Sequence, residues 1–199
     1  MPPRYSTNRG AVQIRDAATE DATGLQSLWI DCTSGYRPPQ RDASLEQIEG
    51  AIRRLETEPS ERLLVATLND RPVGVAHLRR APVSPIHDED AIHVGYLHVL
   101  SQYRRRGVGK QLLEAAADWA DEKDTPHVVA SVAGTARDAN RFLARLGFSQ
   151  VAVVRTCSVM TLRNKLEPAV AKSAKSARSA SSNIVAVRRL KRSIRSTVS

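Results

Sequence analysis

Residues 97–120 read LHVLSQYRRRGVGKQLLEAAADWA, and this stretch decides the fold. It opens with an apolar, partly β-branched run that ends at Leu100 and is typical of a strand. A short polar turn follows, and from Val108 onward apolar residues recur at helical spacing. The stretch therefore predicts a strand, a turn and a helix in succession. The turn concentrates two glycines and four cationic side chains, Arg104, Arg105, Arg106, Gly107, Gly109 and Lys110.

The composition of this turn indicates an anion-binding site. Glycine lets the backbone turn tightly and approach a ligand closely. The first N–H groups of a helix have no intrahelical partner, and the helix dipole adds roughly 0.3–1 kcal/mol for an anion there. Together these features predict a phosphate cradle, although a plain strand-to-helix turn and a solvated basic loop remain open. The dinucleotide pattern G-x-G-x-x-G is excluded because Leu112 stands at its third glycine.

The same residues resemble the signature of the GNAT N-acetyltransferases. That signature is Arg/Gln-x-x-Gly-x-Gly/Ala, and Arg104-x-x-Gly107-x-Gly109 matches it, with Val99 at the usual valine five residues upstream. The order of the other predicted elements agrees over residues 11–164. The resemblance implies an acyltransferase with an α/β (α+β) fold. Its mixed, mostly antiparallel sheet would have splayed central strands and flanking helices.

Hydrophobic periodicity predicts the remaining elements. Strands are expected over 12–15, 62–68, 73–80, 91–100 and 127–132, and helices over 19–32, 45–55, from 108 and around 139–146. Ser44 and Gln47 form a capping-box pattern, Thr135 and Asp138 are expected to cap the last helix, and Gly147 is expected to end it in the left-handed conformation. Residues 150–155 and 158–162 are predicted to close the domain as two further strands.

The resemblance also implies acetyl-CoA as co-substrate and an amine as acceptor, either a small molecule or a protein lysine or N-terminus. The amine would attack the thioester directly in a ternary complex. Pantetheine would pair with the fourth strand, where the Val99 N–H would face the thioester carbonyl, and the pyrophosphate would lie on the turn. The implied cofactor-binding residues are Leu97, His98, Val99, Arg104, Arg105, Arg106, Gly107, Val108, Gly109 and Lys110.

His93 is the candidate general base. A lysine-like amine must be neutral to attack, which costs about 4.6 kcal/mol at pH 7, and an imidazole can accept its proton. The resemblance places His93, eleven residues before Arg104, where relatives carry Glu or His. Strand alternation predicts that it shares a face with Leu97 and Val99 provided no bulge intervenes, and that His98 points to the other face. A partly buried structural histidine is the alternative.

The implied general acid and acceptor site are less defined. Leu143 stands where the family often has a proton-donating Tyr. The alternatives are that Tyr96, Tyr103 or Cys157 acts as the general acid, or that the CoA thiolate leaves without one. By the resemblance the acceptor site includes Tyr36, and an acidic run that includes Asp88 and Glu89 would attract a cationic amine unless it is simply a solvated loop. Arg37 and Arg41 would instead favour an acceptor that bears a carboxylate.

Charge separates a domain from a tail. The 199 residues carry 30 basic and 21 acidic groups, a net charge of +9. Residues 167–199 hold eight of the basic groups and one acidic group, so we predict a GNAT domain over 11–166 and a basic tail, disordered or an amphipathic helix. The tail would bind an acidic partner, nucleic acid or an anionic membrane surface. An alternative function follows, an acyl-CoA-binding domain with little catalysis that acts through its tail.

Cysteine content and hydropathy limit the other classes. Cys32 and Cys157 are too few for a disulfide framework or a Cys-rich zinc module, and nothing in the sequence points to a metal. No apolar run reaches the roughly 18 residues of a membrane helix, and the N-terminal residues lack the apolar core of a signal peptide. We therefore expect a cytoplasmic enzyme. Whether it forms a homodimer stays open at this point.

Overall fold

The computed structural model describes residues 11–33, 42–86 and 88–166. It divides into two compact units, the first ending at Gln150 and the second beginning at Val151. The elements of the first unit are β1 (Gln13–Asp16), α1 (Ala22–Thr33), α2 (Leu45–Glu56), β2 (Glu61–Leu68), β3 (Arg71–Pro82), β4 (Asp90–Val99), α3 (Val108–Glu122), β5 (His127–Ala130) and α4 (Arg137–Arg145). The second unit contains α5 (Val159–Leu166).

The sheet of the first unit runs β1-β2-β3-β4-β5. Its pairs are antiparallel except for β4 and β5, which are parallel. The turn between β2 and β3 has two residues, Asn69 and Asp70, both with positive φ (50° and 59°). Two such residues suit the twist of a tight hairpin, and Asn and Asp tolerate this conformation better than most side chains. The predicted mixed, mostly antiparallel fold is confirmed.

Helices cover both faces of the sheet. On one face α3 and α4 pack against the strands around Leu78, Ile92 and Leu112, which are fully buried. On the other face α1 and α2 bury Leu28 and Ile52 against the sheet. We call these the α3 face and the α1–α2 face. The apolar spacing of each helix predicts which of its sides is buried.

Helix ends follow local sequence in two of three cases. At α2 the Ser44 side chain accepts from the Gln47 N–H and the Gln47 side chain accepts from the Ser44 N–H, which confirms the capping box. Gly147 has φ of 90°, which confirms the predicted left-handed end after α4. The cap predicted from Thr135 and Asp138 is wrong. Ala136 is the N-cap residue of α4 and no side chain bonds there, because the helix begins one residue later than that cap requires.

The two strands predicted after Phe148 are also wrong. Residues 151–158 have no regular structure, and the side chains of Val151, Val153 and Val154 are largely exposed. An alternating pattern makes a strand only where a partner strand offers its free edge. From residue 159 the chain is helical instead, and the Ser158 hydroxyl accepts from the Thr161 N–H in the manner of an N-cap. No helix in the described ranges is long and apolar enough to cross a bilayer.

Candidate active site

Strand β4 has two halves that differ in their neighbours. In the first, Ala91–Val94, β4 pairs with β3 on one side and with β5 on the other. The last bond toward β5 runs from the Ser131 N–H to the Val94 carbonyl, at 2.9 Å. In the second, Gly95–Val99, β4 pairs with β3 alone. We call these the paired half and the open half. The predicted splay of the central strands is therefore present.

A β-bulge at Tyr96 lies near the start of the open half. His77 of β3 lies opposite Gly95, whereas Val75 lies opposite His98, so β4 has one extra residue between these pairs. Tyr96 has φ of +50°, a conformation that costs a non-glycine residue energy. A bulge reverses the alternation of side chains along the strand beyond it.

The bulge overturns the predicted orientation of the histidines. Leu97 and Val99 pack against the cluster on the α3 face. His93 and His98 lie opposite Arg79 and Val75 of β3, on the α1–α2 face. The prediction that His93 shares a face with Leu97 and Val99, and that His98 points away from His93, is therefore wrong. The extra residue at the bulge is the reason.

The backbone of Val99 is turned toward the gap beside the open half. The N–H of the next residue, Leu100, donates to Val73 of β3 at 3.0 Å, so the peptide groups of Val99 point to the opposite edge of β4. Its carbonyl accepts from Arg104 Nε at 2.9 Å. Its N–H is then directed into the gap, where an extended ligand could pair with β4.

The turn that follows is shaped by two left-handed residues. Arg105 has φ of 63°, and Gly107, the N-cap of α3, has φ of 81°. The carbonyl of Gly107 accepts from the Gln111 N–H at 3.0 Å, which closes the first turn of α3. The N–H groups of Val108, Gly109 and Lys110 consequently have no acceptor within the helix and are available to an anion.

Three of the four cations of this turn contact neighbouring residues. Arg104 is fixed to the strand through Val99, and Arg106 lies over the ring of Tyr103, 5.9 Å from its centroid. Lys110 pairs with Glu114 at 3.1 Å along the exposed side of α3. The structure thus brings every predicted cofactor-binding residue together, in the open half of β4 or in the turn beyond it.

The predicted acceptor residues are not brought to the open half. Asp88 and Glu89 precede β4, and Asp90 is about 17 Å from Gly95 at the rise of an extended strand. Glu89 instead approaches His127 of β5, at 3.9 Å. Asp88 and Glu89 therefore lie toward the other end of β4 from the open half, and their role at the acceptor stays a prediction. Tyr36, Arg37 and Arg41 lie outside the described residues.

The last turn of α1 supplies residues that the sequence did not indicate. Asp31 Oδ2 lies 2.7 Å from His98 Nε2. Trp29 packs against Tyr96 with ring centroids 4.9 Å apart. These contacts join α1 to the open half on the α1–α2 face. No spacing in the sequence links positions 29 and 31 to positions 96 and 98, because the bulge at Tyr96 sets which side chains meet.

The position of the missing general acid is part of the core. Leu143 is buried against the α3 face, with 6% of its surface exposed, as its place on an apolar helix face predicts. Asn140, one turn earlier in α4, donates to the carbonyls of Ala133 and Ala136 and fixes the loop after β5. Of the other candidates for the general acid, Tyr103 packs on the α3 face and Tyr96 lies in the open half of β4. The identity of the general acid therefore stays a prediction.

Comparison with known proteins decides the family. The family model described as the acetyltransferase (GNAT) family matches residues 22–148, more than half of the chain. The chain belongs to the GNAT acetyltransferase family. The predicted class of enzyme, an acyltransferase, is confirmed, and so is acetyl-CoA as its co-substrate. The matched range contains both halves of β4, the turn and α4.

Solved structures show the same GNAT fold at low sequence identity. A transcriptional regulator from Bacillus halodurans C-125 is 20% identical with a TM-score of 0.66, over 74% of this chain and 99% of the other. An aminoglycoside N-acetyltransferase, AAC(6')-Iy, in complex with CoA is 15% identical with a TM-score of 0.62, over 77% and 98%. Glucosamine-6-phosphate N-acetyltransferase from Arabidopsis thaliana is 13% identical with a TM-score of 0.62, over 75% and 99%. No curated protein matches the chain by sequence.

Proposed function

We propose that this GNAT acetyltransferase transfers the acetyl group of acetyl-CoA to an amine by direct attack in a ternary complex. One observation carries the proposal, the continuity between the open half of β4 and the turn from Arg104 to Lys110. An extended, amide-bearing molecule can pair with Val99 while an anion attached to it lies on the first turn of α3. CoA joins these two features in one molecule, because its pantetheine arm is linked to a pyrophosphate.

The residues of the turn fit a pyrophosphate by charge and by shape. The three N–H groups at the start of α3 point outward, and Arg104, Arg105, Arg106 and Lys110 supply positive charge. A hydrogen bond to a charged group contributes roughly 1.5–3 kcal/mol, so a few such bonds suffice for micromolar binding. Gly107 adopts a left-handed conformation that a side chain would strain.

The chemistry needs a proton acceptor and a donor for the developing oxyanion. Acetyl-CoA supplies an acetyl thioester. As the amine nitrogen forms its bond to the acetyl carbon, the C–S bond breaks and the amine loses a proton. The Val99 N–H faces the gap and can donate to the carbonyl oxygen in the transition state. His93 is the sequence-based candidate for the base, and it lies on the α1–α2 face of the paired half.

An amine acceptor agrees with the solved relatives. The titles of neighbouring structures name an aminoglycoside acetyltransferase with a bisubstrate analogue, one in complex with sisomicin, and a glucosamine-6-phosphate N-acetyltransferase. These substrates belong to those proteins. What supports an amine for this chain is the acid and the aromatic pair at the open half, in which Asp31 and Trp29 come from α1 and Tyr96 comes from β4.

Calorimetric titration of acetyl-CoA tests the cofactor part of the proposal. The wild-type protein is expected to bind in the micromolar range. Gly107→Glu is expected to raise Kd at least 30-fold, because it strains the left-handed turn and places a carboxylate against the phosphates. Gly50→Glu is the matched control, since it adds the same charge on α2, where a Cβ meets nothing within 4 Å. An equal loss of affinity in both variants, or no binding by folded wild-type protein, would contradict the proposal.

A second function is favoured by the apolar residue at the acid position. With Leu143 in the core, an acyl-CoA-binding domain with little catalysis is the alternative. It predicts acetyl-CoA binding without release of free CoA thiol above hydrolysis when butylamine, lysine amide, tyramine or spermidine is added. Amine-dependent thiol release favours the transferase.

A further inference from the structure

We propose that His98, oriented by Asp31, accepts the proton of the acceptor amine in this enzyme, and that His93 does not. The inference rests on the proposed transferase function and specifies one step of it. The pair lies in the open half of β4, and the carboxylate comes from the last turn of α1. The distance between Asp31 Oδ2 and His98 Nε2 is 2.7 Å.

The pairing fixes which nitrogen of His98 can act. An ionised carboxylate only accepts hydrogen bonds, so the nitrogen beside it must carry the hydrogen. In the neutral imidazole Nε2 therefore donates to Asp31, and Nδ1 keeps its lone pair and accepts. A proton taken up at Nδ1 gives an imidazolium next to the carboxylate, which stabilises the new charge.

His98 and Asp31 differ in solvent exposure, and the difference suits a proton-accepting imidazole oriented by a carboxylate. The His98 side chain is 13% exposed, whereas that of Asp31 is 43% exposed. The imidazole is thus mostly shielded from water while the carboxylate stays hydrated. Asp31 also lies at the C-terminal end of α1, where the helix dipole disfavours an acid and favours a cation such as imidazolium. The helix end and the carboxylate act on the imidazolium in the same direction.

His93 lacks these features. It lies in the paired half, where β3 and β5 bond to both edges of β4. Its Nε2 is buried and has no hydrogen-bond partner among the described residues, so no carboxylate orients that nitrogen. His98, in contrast, precedes Val99, whose N–H faces the gap in which the thioester would lie. Of the two imidazoles, His98 is therefore next to the reacting atoms along the strand.

The bulge at Tyr96 makes this arrangement possible. Without the extra residue His98 would lie on the α3 face and could not reach α1. Trp29 packs on Tyr96 and supports the strained residue from the same turn of α1 that carries Asp31. The step then balances. The amine proton moves to Nδ1 as the N–C bond forms and the C–S bond breaks, the imidazolium returns its proton to water, and the CoA thiolate takes one from water.

The test measures steady-state rates of thiol release with the amine that gives the highest wild-type rate among butylamine, lysine amide, tyramine and spermidine. His98→Gln is expected to lower kcat at least 100-fold and to leave the Kd of acetyl-CoA and the KM of the amine within threefold. Asp31→Asn is expected to lower kcat about tenfold or more, and Asp31→Glu is expected to restore part of it. His127→Gln is the control, because this histidine faces Glu89 at the other end of β4.

Each result has one meaning. Retention of wild-type kcat in His98→Gln, with wild-type turnover intact, overturns the role of His98 and leaves the transferase function standing. Loss of acetyl-CoA binding or of the thermal transition in both His98→Gln and Asp31→Asn shows that the pair is structural and also overturns it. Absence of turnover in the wild-type protein overturns the transferase function itself, and the inference with it.

Discussion

The paired and open halves of β4 differ in what holds them. Ala91, Ile92 and Val94 are buried, and the paired half forms backbone bonds to β3 on one edge and to β5 on the other. From Gly95 to Val99 the side chains are only half buried, and one edge of the strand faces a gap. The same strand is thus a core element at one end and has an unpaired edge at the other.

The difference comes from one inserted residue and from the end of β5. The Tyr96 bulge turns His98 toward α1 and Val99 toward α3, and pairing with β5 stops at Val94. Strain at Tyr96 is stored next to the reacting groups, where bulges and positive φ values are often found. The paired half next to this strained residue is held by the burial of Ile92 and Val94.

Of the predicted changes, a large cavity in the paired half should lower the free energy of unfolding the most. Ile92 is fully buried, so Ile92→Ala is expected to lower the free energy of unfolding by about 2–5 kcal/mol. Leu97→Ala, in the open half, removes a half-buried side chain and should cost clearly less. Denaturant unfolding of both variants measures the difference. Equal losses would show that the open half is packed as tightly as the paired half and would break the comparison.

The two ends of α1 carry acids with different expected roles, Asp21 in stability and Asp31 in turnover. Substitution of Asp21 should have a smaller effect on the free energy of unfolding, and that effect should depend on pH. Asp21 lies just before α1 and accepts two bonds from Arg15, at 2.6 and 2.8 Å, and one from the Ala18 N–H. Burial acts to raise the pKa of Asp21, but these bonds outweigh it and hold that pKa below its usual range. Asp21→Asn is expected to lower the free energy of unfolding at pH 7 by about 1–3 kcal/mol.

The sign of this pH dependence follows from the lowered pKa. A carboxylate whose pKa is depressed in the folded state stabilises the protein fully above its unfolded pKa of about 3.9. That contribution is lost as pH falls through the folded pKa. The gap between wild type and Asp21→Asn should therefore close below about pH 4, while kcat at pH 7 stays unchanged. A fall in kcat would mean that both ends of α1, and not only Asp31, position the open half.

Substitution of His93, the histidine of the paired half, should change kcat the least. His93→Gln is expected to lower kcat by less than about threefold, because its buried Nε2 has no hydrogen-bond partner in the part of the chain that the structure describes. Thiol release at saturating acetyl-CoA, compared with His98→Gln under the same conditions, measures this. A larger fall for His93→Gln than for His98→Gln would return the base to His93 and to the paired half.

Local sequence was sufficient for features that depend on neighbouring residues. The glycine-containing turn after β4, the capping box at α2 and the left-handed Gly147 each follow from a few adjacent side chains. The strands predicted over 150–155 and 158–162 failed because alternation does not create a partner edge. The distance of Asp88 and Glu89 from the open half depends on where β4 separates from β5, which no local pattern in the sequence shows.

The sequence by itself determined the family and the acyl donor, through the resemblance of Arg104-x-x-Gly107-x-Gly109 to a known signature. It also predicted the shape of the turn after β4, because glycines set local backbone geometry without help from distant residues. Only the tertiary structure decided that, of the two β4 histidines, His98 meets a carboxylate. That outcome depends on one bulged residue, Tyr96, which moves His98 to the face of the sheet that α1 covers. A one-residue shift in register changes every side chain beyond it, and no pattern within the strand reveals it.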